Sequence, residues 1–234
     1  WDPADFPDVV PYDWVVHLGA VADMREASVD KVLIQNLDFS QRLFTECQHH
    51  GVHLQYASSS SVYGNSKDFS EYAECHPQTP YAWSKYLFDR WVFQQRQTNF
   101  VQGFRYFNVY GNHEEHKGDQ ASPVSKFKKQ AKTAGTITLF EHSDQYLRDF
   151  IAVEDVCRIH VEFIKGVTES GIWNLGTGST DNFQHIAECI SKKYNSTVKY
   201  TSMPNNLKNS YQAYTCSDNT QLERTLGPQT WIKV

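Results

Sequence analysis

Tyr81 and Lys85 stand four residues apart, just after Pro80, in the stretch Pro80-Tyr81-Ala82-Trp83-Ser84-Lys85. On a helix that spacing puts both side chains on one face, with the lysine ammonium close to the phenol. A cation beside a phenol favours phenolate and draws the tyrosine pKa below its reference of about 10. Upstream, Tyr56-Ala57-Ser58-Ser59-Ser60-Ser61-Val62-Tyr63-Gly64 ends an apolar run in four hydroxyls. A serine at such a strand end can donate a hydrogen bond to the substrate oxygen that the tyrosine addresses. Together these groups can remove a proton from an alcohol or return one to a ketone. The bare Tyr-x-x-x-Lys spacing is also what a half-buried tyrosine and a solvated lysine on any helix produce.

The elements that must hold these groups are readable from periodicity. Asp13–Ala20 is a short apolar run ending in Gly19-Ala20, like a buried parallel strand with a tight turn at its carboxyl end. Ligands of open α/β sheets bind at such ends, and small residues there (Gly19, Ala20, Ala22) admit a flat cofactor. Residues 28–48 carry apolar side chains at helical spacing, residues 51–58 read as a strand, 81–97 as a helix and 100–107 as the next strand. This alternation predicts a doubly wound parallel sheet with right-handed crossovers. Further along, helices are predicted over 122–134, 154–165 and 182–194, and strands over 136–140, 171–176 and 198–203.

Composition narrows the function classes. Hydrophobic residues make up 40% and charged residues 21%, ordinary for a globular protein, and the net charge of -5 with a pI near 6.1 gives no sign of a nucleic-acid partner. No apolar run is long enough to cross a bilayer. Cysteines 47, 75, 157, 189 and 216 are scattered, odd in number and lack a Cys-x-x-Cys, which predicts reduced thiols in the cytoplasm. His113-Glu114-Glu115-His116 lacks the His-Glu-x-x-His spacing of a zinc helix, so no metal is expected.

The serine run ending in Val62-Tyr63-Gly64, then Tyr81-x-x-x-Lys85, then Phe104-Arg105-Tyr106-Phe107-Asn108-Val109-Tyr110-Gly111 together resemble the extended short-chain dehydrogenase/reductase superfamily. With His116-Lys117-Gly118, the chain resembles its ADP-L-glycero-D-manno-heptose 6-epimerase family along nearly all its length. The fold so implied is α/β: a Rossmann-like doubly wound parallel sheet, incomplete at its N-terminus, with a smaller α/β substrate-binding lobe. The implied division is 1–112 for the partial dinucleotide-binding domain, 113–148 for the substrate lobe, 149–192 for a return to the first domain and 193–234 for the lobe again.

The resemblance implies a nucleotide-sugar epimerase that inverts a carbinol centre by transient oxidation with bound NADP or NAD. Tyr81 and Lys117 would be its two acid/base groups, Ser59 would steady the developing oxyanion and Lys85 would hold the nicotinamide ribose. A lysine buried near the cationic nicotinamide gives up its proton more readily and works near neutral pH. Leu18, Gly19, Ala20, Val21, Ala22, Asn36, Val109 and Lys117 join Lys85 in the implied cofactor site. Ser59, Asn108, Asp119, Lys126, Phe140, Glu141, His142, Ser143, Arg148 and Tyr211 form the implied substrate site, with Arg148 as a diphosphate clamp. Asp119 stands where the family has Ser, and Lys126 where it has His, which leaves the sugar open.

The expected partners are a nucleotide-diphosphate sugar, ADP-heptose first, and further copies of the chain in a homo-oligomer, with no nucleic acid and no membrane. A nucleotide-hexose 4-epimerase or dehydratase of the same superfamily, and a non-catalytic relative, are the alternative readings. No Gly-x-x-Gly-x-x-Gly precedes residue 51, where Gly19 is the one glycine. The expectation is therefore a family member lacking its first quarter and its closing tail.

Overall fold

A computed structural model describes residues 6–23, 26, 28–204 and 212–234. In chain order the elements are β1 (Trp14–His17), α1 (Val29–Val32), a π-helical turn (Leu33–Asp38), α2 (Phe39–His50), β2 (His53–Ser59), α3 (Pro80–Gln94) and β3 (Val101–Tyr106). They continue with β4 (Asn108–Tyr110), α4 (Pro123–Ala134), β5 (Thr136–Phe140), β6 (Leu147–Arg148), β7 (Phe150–Ala152), α5 (Val153–Gly166) and β8 (Gly171–Leu175). The last are β9 (Asp181–Asn182), α6 (Phe183–Tyr194), β10 (Thr197–Thr201), β11 (Tyr214–Thr215) and α7 (Thr220–Leu226). Every helix and strand read from periodicity is present, with ends shifted by a few residues.

The chain forms two compact units: residues 1–106 with 160–174, and residues 107–159 with 175–234. The first is built on a sheet in the order β1-β2-β3-β8, in which β1–β2 and β2–β3 are parallel. Its core joins Leu43, Phe44 and Cys47 of α2 to Leu54 and Tyr56 of β2 and Phe88 of α3. Local chemistry sets the ends of its helices. Thr79 caps α3 by accepting the Ala82 N–H at 3.2 Å, and Pro80 occupies the first turn, where no donor is needed. Gly51, at φ 76°, closes α2 in the left-handed region that side chains resist.

Gly103 shows how closely the sheet is filled. A Cβ there would sit 2.4 Å from Cζ of Tyr56, so β3 needs glycine beside that phenol.

The predicted helix over 28–48 is interrupted. Between α1 and α2 the Phe39 N–H reaches back to the Ile34 carbonyl, widening the turn. Such widened turns fit an extra residue into a helix and often mark functional positions. The residue turned inward here is Asn36, 1% exposed.

The second unit packs α4 and α6 against small parallel pairings, β5 with β10 and β4 with β7. Phe127, Ile137, Leu139, Phe150 and Ile186 form its core. β6 pairs with β11 in parallel and with β9 antiparallel. Among the described residues no helix is long and apolar enough to cross a membrane.

Candidate active site

In the first unit, β2 delivers Ser59 at its carboxyl end, and the first turn of α3 delivers Tyr81. The Ser59 hydroxyl oxygen accepts from the Ser61 N–H at 3.2 Å and from the Ser61 hydroxyl at 2.9 Å. With both acceptor positions used, its own hydrogen is left to be offered towards the Tyr81 phenol. Burial pushes the Tyr81 pKa up, and the Ser59 bond opposes that shift.

The expected depression of the Tyr81 pKa by Lys85 is not what the geometry gives. The Lys85 Nζ donates to the Ala57 carbonyl at 2.8 Å and lies 5.9 Å from the centre of the Tyr81 ring. Burial lowers Lys85 to about 8, while Asp89, one turn along α3, opposes the loss of charge. Its ammonium is thus desolvated and anchored at the end of β2.

The loop after β1 is held by Asn36. Its carboxamide oxygen accepts the Val21 N–H at 2.7 Å, and its NH2 donates to the Val21 carbonyl and to the Ser84 hydroxyl, each at 3.0 Å. Asn36 therefore spends its polar atoms on fixing the loop from Leu18 to Ala22. Gly19, Ala20 and Val21 line a cleft of about 390 Å³ with His17, Gln35 and Phe39, and Leu18 and Ala22 are exposed beside it.

His17 and Ser84 did not stand out in the sequence. The His17 ring nitrogen lies 2.9 Å from the Ser40 hydroxyl, and burial followed by the Lys85 charge lowers His17 to about 4. Beneath the tyrosine–lysine pair, Asp89 binds Arg105 at 3.1 Å and accepts the Ser58 hydroxyl at 2.9 Å. Burial opposes the Arg105 charge, and the Asp89 carboxylate together with Tyr63 and Cys75 more than offsets it.

In the second unit the predicted substrate residues divide. Lys126, Phe140 and Ser143 line one pocket of about 360 Å³, together with Phe127, Tyr146 and Phe183. Ser143 is 3% exposed, and its hydroxyl has no hydrogen-bond partner among the described residues. Glu141 and His142 are exposed; Glu141 accepts the Ser202 hydroxyl at 3.1 Å, and His142 adopts a left-handed backbone.

Arg148, expected as a diphosphate clamp, is buried and donates to the backbone carbonyls of Leu147 and Gln212. Tyr211 lies outside the described residues. Asn108 donates its side-chain amide to the Asp149 carbonyl at 3.2 Å, and Val109 follows it on β4.

Lys117 and Asp119 lie in a short 3-10 stretch, Glu115–Gln120, that turns at Gly118. Both are exposed, so Lys117 lacks the burial expected of it. Glu114 instead is buried. It accepts the Gly111 N–H at 3.0 Å, the Ser122 N–H at 2.6 Å and the Ser122 hydroxyl at 2.8 Å, tying the ends of this loop together. That carboxylate is committed to backbone and hydroxyl donors. Among the described residues no cluster of His, Cys, Asp and Glu could hold a metal.

Asp149 is a second anchor the sequence did not single out. It receives the Thr177, Gly178 and Ser217 N–H groups and the Thr177 hydroxyl, all within 3.0 Å.

The fold agrees with the comparisons to known proteins. The profile of the NAD dependent epimerase/dehydratase family matches residues 3–176. An ADP-L-glycero-D-manno-heptose-6-epimerase from Brachyspira hyodysenteriae is 37% identical over 87% of this chain, and one from Thiobacillus denitrificans is 36% identical over 90% of it. This chain spans 66% of the first relative's length and 70% of the second's. The solved Helicobacter pylori ADP-L-glycero-D-manno-heptose-6-epimerase superposes with a TM-score of 0.83 at 28% identity, covering 92% of this chain and 66% of that one. The chain belongs to the NAD dependent epimerase/dehydratase family.

Proposed function

We propose that this protein is a nucleotide-sugar epimerase of the ADP-L-glycero-D-manno-heptose 6-epimerase type, working in the cytoplasm with NADP or NAD. The observation that carries the reading is Ser59 at the end of β2 opposing the burial shift of the Tyr81 phenol, with Lys85 one helical turn on. The residues present suit a dinucleotide. Gly19 and Ala20 put little bulk on the cleft after β1, and the desolvated Lys85 ammonium offers donors for ribose hydroxyls. When bound, the nicotinamide group accepts a hydride from the reacting carbinol carbon and returns it.

The side chains do the rest. Tyr81 exchanges the hydroxyl proton on one face of the reacting carbon. Ser59 donates to the oxygen as negative charge develops on it. Lys85, anchored on the Ala57 carbonyl 5.9 Å from the centre of the Tyr81 ring, is assigned to holding the ribose. Lys117 is assigned the second proton transfer, which inversion requires because hydride returns to the opposite face of the ketone.

The 360 Å³ pocket is assigned to the nucleotide end of the sugar donor. Lys126 supplies charge for the diphosphate, and the unpartnered Ser143 hydroxyl supplies a polar contact.

The test is to incubate the protein with NADP and ADP-linked glycero-manno-heptose and follow inversion at C6 by proton NMR. Tyr81→Phe should reduce turnover about 10²- to 10⁴-fold while nicotinamide binding persists. Unchanged turnover in that variant, or preferential turnover of a UDP-hexose, would overturn the assignment.

A further inference from the structure

Away from the tyrosine–serine pair, α6 carries a second reactive constellation. Asp181, His185 and Cys189 follow one another at four-residue spacing, so they share a face of the helix and its entry. The His185 Nδ1 lies 2.8 and 2.7 Å from the two Asp181 carboxylate oxygens, and its Nε2 lies 3.5 Å from the Cys189 Sγ. A carboxylate can only accept, so Nδ1 carries the hydrogen and Nε2 turns its lone pair to the thiol. This is the order of nucleophile, base and orienting acid that activates a thiol.

Asp181 is itself fixed. It pairs in register with Arg148 between β9 and β6, and it receives the Asn182 N–H at 2.8 Å. Cys189 also borders a cleft of about 340 Å³, whose lining includes Lys128, Lys193 and Lys233 beside Glu154. Ammonium groups beside a thiol favour anionic partners for it.

We propose that Cys189 is the reactive thiol of this chain, activated by His185 and Asp181, and that it exchanges with carboxylate-bearing disulfides of the glutathione class. In that step the Cys189 proton passes to His185 as Sγ attacks one disulfide sulfur. The new S–S bond forms, the old one breaks, and the departing thiolate leaves with the electron pair and is reprotonated from His185. Cys189 is oxidised and the disulfide supplies the oxidising equivalent. The other cysteines provide an internal scale. Cys157 is exposed like Cys189 but has no such relay, whereas burial raises Cys47 to about 11 and also raises Cys75 and Cys216.

The experiment treats the reduced protein with oxidised glutathione, and in parallel with neutral hydroxyethyl disulfide, and follows each cysteine by peptide mass spectrometry. Cys189 should be modified about tenfold or more faster than Cys157, the scale expected where a base removes a proton that an unassisted thiol seldom loses at neutral pH. The excess should be larger with glutathione disulfide than with the neutral reagent. His185→Gln should bring Cys189 down to the rate of Cys157, which itself stays constant and reports an intact fold. Equal rates in the parent protein, or a Cys189 rate untouched by His185→Gln, would overturn the proposal.

Discussion

Asn36 grips both backbone polar atoms of Val21, accepting its N–H at 2.7 Å and donating to its carbonyl at 3.0 Å. A third bond, to the Ser84 hydroxyl, ties that clasp to the helix carrying Tyr81 and Lys85. Replacing Asn36 with Asp keeps the acceptor but removes both donors, leaving the Val21 carbonyl and Ser84 facing a carboxylate. Asn36→Asp should lower unfolding stability by about 1–3 kcal/mol and raise amide exchange at Val21. Urea unfolding with hydrogen exchange reads both. Full retention of Val21 protection would show that the loop is held by something else.

The Asp89–Arg105 pair supports the same region from beneath, with side chains 0% and 4% exposed. Arg105 also donates to the Tyr63 hydroxyl at 3.0 Å and to the Glu71 carbonyl at 3.3 Å. Removing one partner of a buried pair strands the other charge, so Arg105→Met should destabilise by about 3–5 kcal/mol. Asp89→Leu combined with Arg105→Met should be far less harmful than the two single changes added together. A double-mutant cycle by urea unfolding measures that coupling, and simple additivity would refute it.

How much of this was legible beforehand depended on the range of each interaction. The alternation of strands and helices could be read because apolar periodicity is local. Tyr81 and Lys85 could be paired because four residues define a helix face, and Ser59 because a hydroxyl run ends a strand. The π-helical turn could not be read, since Asn36 is drawn inward by Val21 and Ser84, 15 and 48 residues away. Glu114 and Asp149 were equally silent, because nothing in an acidic residue's neighbours shows that its oxygens will collect backbone donors. Arg148 was half legible for a related reason: its type suits a phosphate, but its donation to the Leu147 and Gln212 carbonyls of its own chain leaves no local signal.

Two buried histidines make stability depend on acidity. Burial lowers both His17 and His160 from 6.5 to about 4. His160 is held neutral by geometry as well. Gln55 donates its NH2 to Gln102, so its oxygen is left to accept from the His160 Nδ1, and Nε2 accepts the Tyr106 hydroxyl. Between pH 6.5 and 4 the unfolded chain binds protons that the native imidazoles exclude. The stabilisation is therefore complete above pH 6.5 and is lost as pH falls towards 4, with a slope approaching about 1.4 kcal/mol per pH unit for each histidine. His160→Gln should remove one of these contributions. Urea unfolding across that range should give a shallower pH slope for the variant, and parallel slopes would exclude His160 as a source.

Glu114 makes the loop from Gly111 to Ser122 a testable unit of the second body. The loop carries Lys117, and its two ends meet on one buried carboxylate. Ser122 is also the cap of α4, where its hydroxyl accepts the Ser125 N–H at 3.1 Å. Glu114→Ala would leave the Gly111 and Ser122 amides without their acceptor and free both loop ends together. Stability should fall by about 1–3 kcal/mol, with faster amide exchange at Gly111 and Ser122 and little change in the α2 and β2 amides of the other unit. Glu114→Gln should be intermediate, because it keeps one acceptor oxygen and turns an NH2 towards a donor. If Lys117 performs the second proton transfer, Glu114→Ala should lower kcat for heptose inversion while leaving nicotinamide affinity unchanged. A loosened loop with undiminished kcat would separate the two ideas: Glu114 would remain the anchor, and Lys117 would lose its assigned role.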